Sequence, residues 1–425
     1  MLDIKFIREN PDKVKKGCQA KQAKVNIDKL LATDKKRREV LQALEDMRAQ
    51  KNKATKEISQ IKDDKERKKI ILKMKELDGN SDRLNKSLKE LEGEFNNLML
   101  QIPNLPQEDV PVGKEDRGNV VLKEIGEKPK FKFKFKDYLT LAENLDLIDV
   151  KRAAKTSGSR FGFLKNEAVL LEFALINLAF DNLRKENFRP VLPPVMLKTE
   201  MARGTGYFEA TDINEAYFIQ KDNLFLIGTS EQSLLAMHAD EVLEEKELPK
   251  KYLGFSTCFR REAGSYGKDT KGILRIHQFD KIEMFCLCKP EDSKKEYSLF
   301  LERQERLMRL LKVPYRVVRI CSGDLGFPAA DKHDIETWIP SENRYRETHS
   351  ASNCTDFQAR RLNIRYKKKG GGLDFVHTLN GTAFAVGRML IAIIENYQQE
   401  DETIKVPDVL QKYTGFKEIS KGSTS

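Results

Sequence analysis

The stretch CFRREAGSYGKDTKGILRIHQFDKIEMF, residues 258–285, decides how the chain folds. It contains two strand-like segments on either side of a polar, glycine-rich loop, a pattern that predicts an antiparallel hairpin. Arg260 and Glu262 stand just before the loop, and Arg275 and His277 stand just after it. A hairpin that only holds a sheet together does not need arginines and a carboxylate facing each other, whereas a hairpin that binds an anionic ligand does. The stretch therefore predicts a ligand site as well as a sheet.

The composition bounds the class of protein. With 425 residues, the chain is long enough for two or three domains. No apolar run approaches the roughly 20 residues that span a bilayer, and the charged start MLDIKFIREN lacks the apolar stretch of a secretory signal. Six cysteines without a CxxC pair fit neither a disulfide framework nor a tetrahedral metal site, which favours a reducing, cytoplasmic compartment. The net charge of +11 is a weak hint of a polyanionic partner.

Residues 28–98 are rich in lysine and glutamate and contain no proline. Apolar or small residues recur there in steps of four and three, in two series on either side of the polar run KDDKERKK at 62–69. This spacing is typical of a coiled-coil seam, so we expect one antiparallel helical hairpin of about 50 Å that reverses within the polar run. The two series are Val40, Leu44, Met47, Ala54, Ile58 and Ile61, then Ile70, Met74, Leu77, Ser81, Leu84, Leu88, Leu91, Phe95 and Leu98.

The far end of this helical arm is basic. Residues 62–75 hold seven Lys or Arg against three acids. Such a surplus suits a helical finger that binds a nucleic-acid backbone. A solvated helical face with interhelical ion pairs and a dimerisation element are the alternatives that these residues alone leave open.

The segment IPNLPQEDVPVG at 102–113 ends the arm, because its three prolines forbid helix. We place the domain boundary there, between residues 1–112 and residues 113–425. The second domain includes FKFKFK at 131–136, whose strict alternation predicts an edge strand, with a nucleic-acid or membrane contact as the alternative. From residue 140 onward, helical and alternating segments are mixed, without a dinucleotide-binding or phosphate-loop glycine motif. We therefore expect an α+β domain built on an antiparallel sheet with flanking helices.

Three stretches together resemble the signatures of class II aminoacyl-tRNA synthetases. The hairpin at about 255–286 resembles the second signature, an arginine–x–glutamate, a loop and then arginine–x–x–x–phenylalanine. LNGTAFAVGRMLIAIIENYQ at 379–398 resembles the third signature, and the helix and strand at about 172–196 resemble the first, which forms the dimer. The segments IPNLPQEDVPVG, GTSE, FRREAGSYGKDTKG and ENYQ, together with the N-terminal arm, narrow the resemblance to bacterial-type seryl-tRNA synthetases over about residues 1–415.

The resemblance implies an activity and its partners. It implies a cytoplasmic homodimer that activates L-serine with ATP and transfers it to the 3′ end of tRNA(Ser), releasing AMP and diphosphate. It also suggests tRNA(Sec) as a second acceptor, although the sequence does not decide whether that tRNA is aminoacylated. The arm would reach across the dimer to grip the long variable arm of the tRNA, reading shape and backbone. The tRNA-contacting residues implied in this way are Lys65, Arg67, Lys68 and Lys69.

The resemblance also implies which residues bind ATP. Arg260 would bind the α-phosphate and the serine carboxylate, and Arg388 would bind the γ-phosphate; these two are the implied catalytic residues. Phe279 would stack beneath the adenine, and Glu262 would accept a hydrogen bond from the adenine amino group. The remaining members of the set are Arg261, Arg275, Glu347, Thr348, His349 and Ser350.

The segment RETHS at 346–350 corresponds to the part of the family that completes the ATP site. Glu347 and Ser350 would hold Mg²⁺, a hard cation that prefers oxygen ligands and bridges phosphates. Thr348 and His349 depart from the family's commoner Glu-Ile-Ser-Ser. We leave His349 out of the chemistry, since a lone histidine is usually neither a ligand nor a base.

The implied serine pocket combines carboxylates with small polar side chains. Carboxylates suit the ammonium and the hydroxyl proton of serine, and a site built to pair that hydroxyl disfavours alanine. Thr382 stands where serine is commonest in the family, which adds a methyl group and keeps the oxygen. The full set is Thr229, Ser230, Glu231, Arg260, Glu283, Asn380 and Thr382.

Two alternatives come from other functional classes. One is a paralogue that activates an amino acid for a carrier protein or another acceptor, which would be expected to lack the arm. The other is an inactive regulator with a coiled-coil module, which would be expected to lose Arg260, Glu262 or Arg388. The chain keeps the arm and all three residues.

Overall fold

A computed structural model describes residues 1–207, 215–263 and 271–422. Most of the loop of the predicted hairpin, residues 264–270, therefore lies outside the described residues.

The chain divides into two compact units. One comprises Leu2–Gln19 and Ala23–Pro103, and the other comprises Asn104 onward together with Met1 and Ala20–Gln22. The division lies inside the proline-rich segment that ends the arm in the sequence.

The first unit is helical. Lys29, near the start of its third helix, pairs with Glu94, near the end of its fourth helix, at 2.7 Å. Lys51 pairs with Asp78 at 2.5 Å in the same two helices. These pairs require the two helices to run antiparallel, so the predicted helical hairpin is confirmed. The helices are α1 (Ile4–Glu9), α2 (Pro11–Ala20), α3 (Ile27–Ile58) and α4 (Asp64–Leu100).

The reversal between α3 and α4 comes earlier than the sequence predicts. Asp63 caps α4, since its side chain accepts a hydrogen bond from the Lys65 backbone N–H at 2.8 Å. The reversal occupies residues 59–63, so it takes in only the first two residues of the run at 62–69 where it was predicted, and the other six residues begin α4. Four exposed cations lie in the first turns of α4 rather than in a turn, namely Lys65, Arg67, Lys68 and Lys69.

The second unit is built on β-structure. In the described part of the chain, eight strands form one sheet in the order β1–β11–β12–β13–β16–β10–β9–β4, and every neighbouring pair is antiparallel except β4 with β9. The strands are β1 (Val120–Ile125), β2 (Ile148–Asp149), β3 (Phe163–Leu164), β4 (Arg189–Val191), β5 (Met196–Lys198), β6 (Phe218–Ile219), β7 (Leu224–Leu226), β8 (Val242–Glu244), β9 (Lys250–Phe259), β10 (Gln278–Cys288), β11 (Tyr315–Arg319), β12 (Asp331–Ile339), β13 (Arg344–Asn353), β14 (Arg365–Lys367), β15 (Leu373–Phe375), β16 (His377–Ala385), β17 (Ile404–Lys405) and β18 (Glu418–Ile419).

Helices pack on both faces of this sheet. α7, α10 and α12 cover one face, and α9 and α11 cover part of the other. The helices of the unit are α5 (Tyr138–Asn144), α6 (Val150–Ser157), α7 (Glu167–Leu183), α8 (Thr199–Gly204), α9 (Ser230–Ala236), α10 (Ser293–Leu311), α11 (Phe357–Arg361), α12 (Val386–Asn396) and α13 (Asp408–Thr414). The expected α+β domain with an antiparallel sheet is confirmed.

The alternation of β10 assigns its side chains to two environments. Ile282 and Met284 face the apolar core beneath α7, α10 and α12. Phe279, Lys281 and Glu283 point to the opposite face, where they line a cleft. The strand-forming pattern of the opening stretch thus gives one apolar face to the core and leaves the other face for polar chemistry.

Two predicted strands differ from the structure. FKFKFK at 131–136 forms no strand; the Phe131 ring instead packs 5.2 Å from Phe133 and 5.1 Å from Phe135. Residues four positions apart in a strand lie about 13 Å from each other, so the 5.1 Å between the Phe131 and Phe135 rings is typical of a folded-back chain and not of an extended one. The strand expected at the end of the first signature, RPVLPPVML at 189–197, is divided into β4 and β5, because its two adjacent prolines cannot donate to a strand ladder.

Among the described residues, every helix is too short or too polar to cross a bilayer.

Candidate active site

A cleft of about 280 Å³ opens on the polar face of the central sheet. Strands β10, β12, β13 and β16, the start of α9 and the start of α12 contribute to its walls. It brings together most of the side chains predicted from the sequence, namely Thr229, Glu231, Arg260, Glu262, Arg275, Phe279, Glu283, Glu347, Thr348, Ser350, Asn380, Thr382 and Arg388.

Arg260 is held in a fixed orientation at the end of β9. Its Nε and Nη2 donate to the Gly228 carbonyl oxygen at 3.2 and 3.1 Å. Its guanidinium carbon lies 5.3 Å from the centroid of the Phe279 ring, a cation–π arrangement. These contacts leave Nη1 to meet an oxyanion in the cleft.

Arg388 lies in the first turn of α12, directly after β16. Its Nη1 donates to the Glu347 carbonyl oxygen at 2.8 Å and lies 3.4 Å from the Glu347 carboxylate. The strand therefore runs directly into the helix, and this arrangement aims the arginine into the cleft.

The Glu347 carboxylate is strongly acidic. Burial would raise its pKa, but Arg388, Lys332 and Arg260 outweigh that effect and lower it to about 2. Its side chain lines the cleft and keeps 47 % of its surface exposed. Glu347 is therefore ionised at neutral pH and offers oxygen ligands to a cation.

Lys332 and Asp334 are functional candidates that the sequence did not reveal. Lys332 on β12 lines the cleft, and its Nζ lies 3.2 Å from the Asp334 carboxylate. Burial raises the pKa of Asp334 to about 7, while Lys332 opposes the rise. Asp334 pairs in register with Ser350 on β13, so an ionisable carboxyl lies beside the predicted magnesium ligands.

Glu231 is buried in the first turn of α9, with 1 % of its surface exposed. It accepts hydrogen bonds from the Tyr207 hydroxyl at 2.7 Å and from Gln358 Nε2 at 2.8 Å. Burial raises its pKa to about 7, although the Gln358 hydrogen bond opposes the shift. Thr229 caps the same helix through its side-chain oxygen and the Glu231 N–H.

Glu283 forms the second buried carboxylate of the cleft. Lys281 Nζ lies 2.7 Å from its Oε2, and the Thr382 hydroxyl donates to the same oxygen at 3.3 Å. Lys281 stands two residues earlier on the same strand face, so alternation along β10 could have identified it. Tyr207 and Gln358 lie far from the motifs in sequence, and no sequence pattern points to them.

Three predicted side chains lie elsewhere. Ser230 is buried and donates to the Gly254 carbonyl oxygen at 3.4 Å. The Arg261 guanidinium lies over the Tyr217 ring, 5.5 Å from its centroid, and does not line the cleft. The predicted contacts of these two side chains with serine or ATP are therefore not supported by their positions.

His349 is the third such residue. Its ring lies 5.6 Å from the Phe384 ring, on the core side of β13, and its Nδ1 is 2.8 Å from the Thr348 hydroxyl. Burial lowers its pKa to about 3, so the imidazole is neutral. The predicted ATP contact is not available to this side chain, and its exclusion from the chemistry agrees with its position.

The polar face of this sheet carries Arg260 from the β9–β10 hairpin and Arg388 from the helix that follows β16, which matches the signatures of a class II aminoacyl-tRNA synthetase. Residues 217–397 match the family model of the tRNA synthetase class II core domain (G, H, P, S and T). Residues 1–106 match the model of the seryl-tRNA synthetase N-terminal domain.

Full-length relatives agree with both matches. The serine–tRNA ligase of Dictyoglomus turgidum is 44% identical over 99% of this chain and 99% of its own. The crystal structure of seryl-tRNA synthetase from Pyrococcus horikoshii complexed with ATP is 40% identical, with a TM-score of 0.92 over 99% of this chain and 100% of its own. The cytoplasmic serine–tRNA ligase of Naegleria fowleri in complex with AMP is 34% identical, with a TM-score of 0.87 over 100% of this chain and 99% of its own.

The chain therefore belongs to the seryl-tRNA synthetase family, and it is an enzyme of the aminoacyl-tRNA synthetase class. A paralogue without the arm does not fit the match at residues 1–106. An inactive regulator does not fit a cleft that retains Arg260, Glu262 and Arg388.

Proposed function

We propose that the protein activates L-serine with ATP and transfers the seryl group to the 3′ end of tRNA(Ser), releasing diphosphate and then AMP. One observation carries the proposal: a single cleft combines the guanidinium groups of Arg260 and Arg388 with the buried carboxylates of Glu231 and Glu283. The arginines suit a polyphosphate, and the carboxylates suit a small amino acid with an ammonium and a hydroxyl. The names of the relatives, serine–tRNA ligase, support the same substrate.

The first step joins serine to AMP. An oxygen of the serine carboxylate attacks the α-phosphorus of ATP, a new O–P bond forms, and the bond to diphosphate breaks. The carboxylate is already ionised, so this step needs no general base. Arg260, oriented by its two bonds to Gly228, would neutralise charge at the α-phosphate, and Arg388 would bind the γ-phosphate.

Glu262, Phe279 and Arg275 would bind the nucleoside. Phe279 offers a ring face to the adenine, and the Glu262 carboxylate offers an acceptor for its amino group. Arg275 Nη1 lies 3.3 Å from Glu262 Oε2, and this contact restrains the orientation of the carboxylate. The ATP complex of the Pyrococcus horikoshii relative supports ATP as the nucleotide.

Glu347 and Ser350 would hold Mg²⁺. Both line the cleft, and the low pKa of Glu347, caused by its cationic neighbours against the effect of burial, leaves an ionised oxygen donor for a hard cation. Mg²⁺, when bound, neutralises part of the phosphate charge that the arginines do not reach.

Serine selection would depend on Glu231, Glu283 and Thr382. The two carboxylates would accept hydrogen bonds from the ammonium and the hydroxyl, and Thr382 Oγ1, already bonded to Glu283, would fix the position of that acceptor. Asn380 lines the same cleft as a neutral polar group. An amino acid without the hydroxyl would leave Glu283 without that partner, which disfavours alanine.

The second step would require the helical arm. In this proposal α3 and α4 grip the tRNA, with Lys65, Arg67, Lys68 and Lys69 on its backbone, and the same grip would serve tRNA(Sec). A homodimer would form through α7. Its Leu170 and Phe173 are exposed apolar side chains, which a second copy of the chain would cover. The cytoplasmic location stays a prediction from the sequence.

Serine-dependent ATP–pyrophosphate exchange tests the proposed activation step. We expect exchange with serine and little with alanine, threonine or cysteine at the same concentration. Absence of exchange, or equal exchange with alanine, would contradict the proposal.

A further inference from the structure

Glu262 has an unusual backbone conformation at the edge of the cleft. Its φ is +50°, in the left-handed region that residues other than glycine rarely adopt. A residue held in this region needs surrounding contacts that outweigh the strain, and such residues cluster at functional sites. The position of the Glu262 carboxylate therefore depends on what fixes its backbone.

Arg160 supplies such a contact from outside the three synthetase signatures. Its Nη1 donates to the Glu262 carbonyl oxygen at 2.6 Å. Its own φ is +61°, and its carbonyl oxygen accepts the His277 N–H at 2.9 Å. One residue of the segment between α6 and β3 thus bonds to both sides of the hairpin, just where the hairpin opens into its loop.

His277 connects the two strand ends of the hairpin through contacts with Arg260. The Arg260 N–H donates to the His277 carbonyl oxygen at 2.9 Å, and His277 Nδ1 lies 3.0 Å from the Arg260 carbonyl oxygen. The Phe161 ring packs against the imidazole, with centroids 5.3 Å apart. The segment at 160–161 therefore contacts the strand ends that carry Arg260 and Glu262.

We infer that Arg160 is a positioning residue that sets nucleotide-base selection by holding the Glu262 backbone. The inference rests on the proposed function, in which the Glu262 carboxylate accepts the adenine amino group. The described residues that line the cleft do not include Arg160. Arg160 therefore acts through Glu262 and not on the nucleotide. Arg275 restrains the carboxylate and Arg160 restrains the backbone, so Glu262 is fixed at both ends.

The test is a comparison of ATP with inosine triphosphate, which carries a carbonyl in place of the adenine amino group. Dissociation constants of both nucleotides are measured by titration calorimetry on the full-length wild-type protein, Arg160→Met and Arg160→Lys. We expect Arg160→Met to weaken ATP binding about tenfold, the scale of one lost charge-assisted hydrogen bond, and to weaken inosine triphosphate binding much less. Arg160→Lys, which keeps a cationic donor, should recover part of the difference.

A double-mutant cycle separates positioning from general stabilisation. If Arg160 acts through Glu262, the loss of ATP preference in Arg160→Met and in Glu262→Gln should not add in the double variant. Arg152→Met is the matched control, because Arg152 is an exposed residue of α6 and pairs with Asp149, the N-cap of that helix. That control should keep the wild-type preference.

Direct binding also separates this inference from the proposed activity. If the wild-type protein binds ATP but shows no serine-dependent exchange, the proposed function is contradicted. The role of Arg160 in ATP preference can still be tested by the binding measurements. An unchanged ATP preference in Arg160→Met would overturn the inference. So would equal weakening of both nucleotides, a fully additive cycle, or a wild-type protein that does not prefer ATP.

Discussion

Replacing Glu231 with glutamine should damage serine binding selectively. The Glu231 carboxylate accepts two hydrogen bonds, from Tyr207 at 2.7 Å and from Gln358 at 2.8 Å. An amide in its place can accept from Gln358 and donate to the Tyr207 hydroxyl oxygen, so the loss is the charge that faces the substrate ammonium and the charge-assisted character of that hydrogen bond. A hydrogen bond to a charged group contributes about 1.5–3 kcal/mol. The serine KM should therefore rise by about 10- to 100-fold, since 1.4 kcal/mol corresponds to a factor of ten.

The pH dependence of the wild-type enzyme supplies an independent measurement of the same group. Burial raises the pKa of Glu231 to about 7, so the proton that an exposed glutamate loses near pH 4 is retained up to neutrality. About nine tenths of the molecules carry the anion at pH 8 and about one tenth at pH 6. Because the ammonium of serine needs the anion, the serine KM should rise about tenfold between pH 8 and pH 6, and this rise should be absent from Glu231→Gln.

The assay is serine-dependent pyrophosphate exchange, with serine and ATP each varied from pH 6 to pH 8. Glu127→Gln, at an exposed site outside the cleft, is the control for the substitution itself. An equal rise in the ATP and serine KM of Glu231→Gln would refute the assignment of Glu231 to the amino acid. A serine KM that stays flat across this pH range in the wild type would refute the role of its ionisation.

Three further predictions concern other parts of the molecule. Arg388→Ala should lower the exchange rate at least about a hundredfold, the scale of losing one preorganised charge donor, and a near-normal rate would remove Arg388 from the phosphate site. Lys281→Met should lower the unfolding temperature more than Lys281→Arg, because it leaves the buried Glu283 without its cation, a loss of about 3 kcal/mol in buried pairs; equal melting of the two variants in a thermal scan would contradict this. Charge reversal at Lys68 and Lys69 should spare exchange, reduce tRNA charging and flatten its salt dependence, whereas a parallel fall in both activities would contradict the tRNA-gripping role of the arm.

The sequence predicted the site well where a motif fixes both a residue type and a strand face. Along β10, the alternation that places Phe279 and Glu283 on the same face is a property of any strand, so their joint position in the cleft follows from the pattern. Arg388 was predictable for a similar reason, since a strand that runs directly into a helix leaves little freedom for the first helical turn.

The same alternation explains the residues that the sequence misplaced. Family signatures mark contiguous runs, but successive strand residues point to opposite faces, so His349 lies on the core side while Ser350 lines the cleft. Ser230 turns toward β9 because α9 must bury one side against the sheet.

Partners from distant elements could not be predicted. Tyr207 and Gln358 reach Glu231 from elements separated from it by 24 and 127 positions, and only tertiary packing brings them together. Lys332 likewise reaches the site through the register between β12 and β13. For the alternating FKFKFK run, the sequence predicted a strand that the structure does not form. The Phe131 ring packs instead on the Phe133 and Phe135 rings.

Charging of purified tRNA by the full-length protein tests the central claim most directly. The measurement is the incorporation of labelled serine into tRNA(Ser), with tRNA(Sec) and an unrelated tRNA in parallel and with labelled alanine as the competing amino acid. We predict seryl-tRNA(Ser) in amounts close to the tRNA added, with no charging by alanine and none of the unrelated tRNA. Exchange with serine but no ester on tRNA(Ser), or charging with an amino acid other than serine, would contradict the account.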